Sequence, residues 1–126
     1  MNKTATELIK YIIEETCLAY GITLHQFFSK KRGMAPAPEA RHMAWAVVAS
    51  VIPYNEVHIS NLAKMCNRTH GTVIYGIKKI ENFCETEKEI KKRKEKLVRD
   101  AKIHLFCLTD RKAGSLNPYK PNFATP

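Results

Sequence analysis

Residues 67–79 read NRTHGTVIYGIKK and gather a guanidinium, an imidazole, two threonine hydroxyls and two ammonium groups, with no acid before Glu81. Such side chains donate to and accept from base edges and phosphate oxygens. A second cationic group, Lys30, Lys31 and Arg32, stands without an acidic neighbour in its own stretch and suits phosphate oxygens or a minor groove. The chemistry on offer is recognition rather than turnover. No carboxylate pair, nucleophile with a base, or HExxH spacing is recognisable, so no catalytic residue is expected and the chain is read as a non-enzyme. Cys17, Cys66, Cys84 and Cys107 stand far apart and outside CxxC pairs, so they read as small buried apolar residues in a reducing cytosol. Neither a metal site nor a cofactor is expected.

The first group must sit on two short helices. Ile59, Leu62, Ala63 and Cys66 recur at helical spacing, and Val73, Ile77, Ile80 and Cys84 repeat at intervals of four, three and four. Between them Asn67 tolerates a left-handed backbone, and Thr69 offers a hydroxyl to the free N–H groups of a new helix. This arrangement places Thr72, Tyr75, Gly76, Lys78 and Lys79 on the flanks or outer face of the second helix. A short helix, a tight turn and a second helix with a basic polar face form a DNA-reading helix-turn-helix.

The remaining stretches read as support. Thr4 with Glu7 makes a capping box, Leu8, Ile9, Ile12, Ile13 and Cys17 supply an apolar stripe, and Gly21 is placed to end that helix. Thr23 and Gln26 cap a short helix whose Phe27 and Phe28 close an amphipathic turn and belong to the core. Residues 29–38, SKKRGMAPAP, lack periodicity and read as a loop. Residues 39–52 are apolar nearly all round, which makes them a central helix stopped by Pro53. Arg41 is the exception there: a cation in a first helical turn, expected to seek an anion such as phosphate or a nearby acid such as Glu39. Residues 85–108 read as one long charged helix with a narrow seam of Ile90, Leu97, Ala101, Leu105 and Leu108. That seam packs on the body or pairs with a second copy. Residues 109–126, rich in turn formers, read as a flexible tail.

At 126 residues there is room for one compact core, and 21 basic against 12 acidic residues give a formal charge of +9. A polyanion answers that charge, nucleic acid before membrane. No apolar run approaches the roughly 20 residues that span a bilayer, and the N-terminus lacks a signal-peptide pattern, so a cytoplasmic, nucleoid-associated protein is expected.

From about Leu8 to Phe83, roughly three-fifths of the chain, the order of elements resembles the C-terminal DNA-binding domain of the bacterial replication initiator DnaA, a Trp-repressor-like helix-turn-helix. The likeness rests on FSKKR (28–32), ARHMAWAVV (40–48) and above all NRTHGTVIYGIKKI (67–80), which parallels a GRDHTTV-like signature followed by a helix ending in K-I. It implies DNA contacts by Arg32, Arg41, Arg68, His70 and Thr72, with Thr69, Gly71 and Lys79 as weaker ones and Lys30 and Lys31 holding the backbone. Thr69 stands where the family has aspartate, and Gly71 where it has the first of two threonines. A shifted base preference follows, because an acceptor for a cytosine amino group becomes a hydroxyl and a methyl-bearing side chain is lost. The initiator's ATP-binding motor has no counterpart in these residues, which lack GxxxxGK[ST]. The resemblance thus implies a stand-alone reader of duplex DNA, acting in replication or transcription control.

The expected architecture is all-α: a helix-turn-helix domain over residues 1–84, a charged helix over 85–108 extending it, and a tail over 109–126. Duplex DNA is the expected partner, bound by one copy or by a weak homodimer paired through the C-terminal helix. The alternative is a protein-interaction module that keeps the fold and grips a replication or transcription protein.

Overall fold

The computed structural model describes residues 3–31, 33–53 and 59–113, with side chains to Thr109. The described residues form six helices and no strand: α1 (Lys3–Tyr20), α2 (Leu24–Phe28), α3 (Ala37–Val51), α4 (Ile59–Met65), α5 (His70–Thr86) and α6 (Lys88–Ala113). None of them is long and apolar enough to cross a membrane.

The core forms around α3, whose Met43, Ala44, Trp45, Ala46, Val47 and Val48 are all buried. A helix apolar on every side has no face to give to water, so other helices must surround it. Helices α1, α2, α5 and α6 all pack against it. α1 contributes Leu8, Ile9, Ile12 and Ile13, and α2 contributes Phe27. Each such side chain stabilises the fold by roughly 1.5–3 kcal/mol of transfer free energy. The Trp45 indole N–H donates to Cys66 Sγ at 3.4 Å, which ties α3 to the end of α4.

Helix α1 stops as its sequence demands. Gly21 adopts φ 67°, and Gly21 and Ile22 donate their N–H groups to the Leu18 and Cys17 carbonyls at 3.3 and 3.0 Å. This paired closure needs a left-handed residue that glycine supplies without a Cβ clash. Thr23 and Gln26 form the expected capping box on α2.

Four boundaries differ from expectation. Thr4 lies inside α1 rather than capping it. α3 begins at Ala37, with Pro38 in its first turn, because a proline there forfeits only an N–H that has no intrahelical partner. The long charged helix is one rod but starts three residues later than expected: α5 runs on to Thr86, Glu87 turns extended at φ −107° and ψ 102°, and α6 begins at Lys88. No glycine or proline marks that break. Packing sets it, since α5 must lie along α3 and α4 while α6 must reach α1. α6 also continues past Leu108 to Ala113, so residues 109–113 are helical; residues 114–126 lie outside the described residues.

The seam of α6 closes on the body. Leu97 and Ala101 join the same buried cluster as α1 and α3, Ile90 and Leu105 pack on it, and Leu108 is buried too. That seam therefore packs on the body of the same molecule.

Candidate nucleic-acid interface

The turn between α4 and α5 is built from its caps. Asn67 takes φ 56°, and the N–H groups of Asn67 and Arg68 return to the Lys64 and Ala63 carbonyls at 3.2 and 2.9 Å. Thr69 then begins α5 from extended backbone, its Oγ1 accepting from the Thr72 N–H at 3.2 Å and lying 2.9 Å from Thr72 Oγ1. As a result Thr69, His70, Gly71 and Thr72 are all exposed on the first turn, at the positive end of a 17-residue helix.

What fixes the direction of that turn is Gly76. It is buried, not on the flank where periodicity put it. A Cβ there would sit 2.6 Å from His42 Cδ2 and 2.7 Å from Trp45 Cε3, so only glycine lets α5 lie this close to α3.

The close approach creates a cleft of about 340 Å³ lined by Lys30, Pro38, Arg41, His42, Trp45, Arg68, Thr72, Tyr75 and Lys79. Four basic side chains line one concavity, and among the described residues no carboxylate lines it. A low-dielectric wall carrying charge of a single sign focuses potential on an anion.

Two of these cations are already engaged. Arg41 is 4% exposed. Its Nε donates to the Phe27 carbonyl at 2.8 Å, and its Nη2 to the carbonyls of Gln26 at 2.8 Å and Lys31 at 3.3 Å. Burial, then the neighbouring Arg68, pull its pKa below the ordinary guanidinium value. Backbone carbonyls thus hold part of the guanidinium for which an anion was expected, and Glu39 accepts from the Tyr20 hydroxyl at 2.6 Å. Arg68 is half-buried, with Nη2 donating to the Ser29 carbonyl at 2.6 Å and Nη1 to the carbonyls of Cys66 and Asn67 at 3.3 and 3.2 Å.

Lys30 and Lys31 are exposed, and Lys79 is half-buried with Nζ 5.7 Å from the Tyr75 ring centre and 5.9 Å from that of Phe83. Of the residues read from sequence, the cleft gathers Lys30, Arg41, Arg68, Thr72 and Lys79. Thr69, His70 and Gly71 continue from it along the exposed first turn, Lys31 does not line it, and Arg32 lies outside the described residues.

His42 and Tyr75 were not foreseen as site residues. Tyr75 is 60% exposed and meets the His42 ring edge-on at 6.0 Å. Its spacing carried a signal, since 72, 75 and 79 share one helical face. His42 carried none, because only the contact of α5 with α3 brings it there.

Outside the cleft, Cys17 and Cys66 are buried, and burial raises the Cys17 thiol pKa to about 11. Cys84 and Cys107 are half-buried, and no group of three or more metal-binding side chains occurs among the described residues. Comparison with known proteins adds no relative: no family model, curated protein or solved structure matches the chain.

Proposed function

We propose that this protein binds duplex DNA with sequence preference. The first turn of α5 enters the major groove, with His70 and Thr72 offering hydrogen bonds to base edges, Thr69 and Gly71 beside them, and Lys30 and Lys31 neutralising phosphates alongside. The observation that carries this reading is the capped, solvent-facing start of α5 beside a cleft whose charged side chains are all cationic. The initiator-like order of NRTHGTVIYGIKKI points the same way, toward replication or transcription control. Selection from random duplexes, followed by binding isotherms across salt, tests it. A recurrent motif should emerge, and log affinity should fall by about 0.9 per phosphate contact for each unit of log salt. Binding indifferent to both sequence and salt would remove the proposal.

A second reading, a protein-interaction module, draws on apolar surface elsewhere. Ile13, Leu24, Phe28 and Met65 line a groove between α1, α2 and α4, and Leu18 is 75% exposed. A protein partner retained after nuclease treatment, with no motif emerging from selection, would favour it.

A further inference from the structure

Helix α2 ends without a left-handed cap. Ser29 takes φ −58° and ψ 139°, so the chain leaves extended and the last carbonyls of α2 need outside donors. Guanidinium groups from two other elements supply them. Arg41 on α3 takes the carbonyls of Gln26, Phe27 and Lys31, and Arg68 in the α4–α5 turn takes that of Ser29. The backbone on both sides of Lys30 is thereby held, while its side chain and that of Lys31 stay in solvent.

Only a planar fork does this. Arg68 reaches Ser29 with one nitrogen and the carbonyls of its own turn with the other, whereas a lysine ammonium at the same place is a single point donor. The residue that closes the helix-turn-helix turn is therefore the residue that holds the basic loop to it.

We propose that Arg68, supported by Arg41, is a positioning residue: it fixes the loop bearing Lys30 and Lys31 in register with the start of α5 before any duplex arrives. This rests on the DNA-binding reading for its purpose, though not for its geometry. The alternative role is that of a plain phosphate contact, for which charge alone is enough. The two roles part at Arg68→Lys, which keeps the charge and loses the fork.

The experiment is a double-mutant cycle in the full chain, using a duplex recovered by selection, with melting temperatures confirming that each variant folds. Arg68→Lys should weaken binding roughly tenfold in the wild-type background and by less than about twofold once Lys30→Ala and Lys31→Ala have removed what it positions. Arg68→Gln, which loses the charge as well as the fork, should weaken binding at least as much as Arg68→Lys, and its loop order parameters serve if Arg68→Lys fails to fold. Wild-type affinity in Arg68→Lys, or equal losses in both backgrounds, would overturn the proposal. A second readout needs no DNA: amide order parameters of Ser29, Lys30 and Lys31 should drop from about 0.85 to below about 0.6 in Arg68→Lys. Unchanged order parameters overturn the positioning role even if DNA binds. If the wild-type chain binds no duplex, the DNA reading fails while the order parameters still decide this one.

Discussion

Two parts of the molecule are rich in positive charge, and they use it differently. On α6, Lys88, Lys91, Lys92, Arg93, Lys94 and Lys96 are interspersed with Glu89, Glu95 and Asp100. Lys96 Nζ lies 2.9 Å from Asp100 Oδ2, and the Arg93 guanidinium sits 4.4 Å from the Tyr20 ring centre. In the cleft, Lys30, Arg41, Arg68 and Lys79 line one wall, and no carboxylate is among the described residues that line it. Charge with an acid beside it is screened at short range, and an exposed pair is worth at most about 1 kcal/mol. Charge of one sign gathered in a concavity projects outward. The longer list of cations is thus the weaker candidate for a binding surface.

That contrast can be broken most forcefully at Gly76. Alanine there gains roughly 1 kcal/mol of helix propensity but drives a methyl into two rings, an overpacking cost of about 1–3 kcal/mol. Overpacking should win, so Gly76→Ala should lower stability in urea denaturation and cost DNA binding while α6 keeps every charge. Unaltered stability would mean that α5 does not need its close seat on α3. Next, His70→Ala should relax discrimination between the best duplex and a scrambled one by about 1–3 kcal/mol in competition binding, and Lys91→Ala with Lys92→Ala should leave it alone. Removing Lys30 and Lys31 together should reduce the salt slope by about 1.8, and removing Lys91 and Lys92 by less than half of that. Equal slopes would erase the distinction between the two regions. Smaller still, Thr69→Ala should cost about 1 kcal/mol in thermal unfolding through loss of the cap. Gly71→Ala should raise stability by a few tenths to about 1 kcal/mol, because a Cβ there has nothing within 4 Å. Two glycines of one helix, Gly71 and Gly76, should therefore respond to the same substitution with opposite signs.

Much of the scaffold was legible before any coordinates. Gly21 ends α1, α3 is central, Asn67 is left-handed, and Thr69 opens α5, each by a rule that acts over a single turn of chain. The division between α5 and α6 was legible only to within three residues, since the stretch from Glu85 to Glu89 holds no helix breaker and the exact bend answers to packing on two different partners. The carbonyl partners of Arg41 were hidden for a similar reason. Its place in a first helical turn suggested an anion, but the carbonyls that satisfy it become available only because α2 ends in extended backbone a short distance away.

By itself the sequence determined where helices begin, which faces turn inward, and how far the charge leans positive, since periodicity, capping and composition need only near neighbours along the chain. The tertiary structure alone decided that Lys30, Arg68 and Lys79 should share a wall with Tyr75 and His42. That meeting depends on one missing Cβ at Gly76, and its effect is felt between helices that the sequence holds some 30 residues apart.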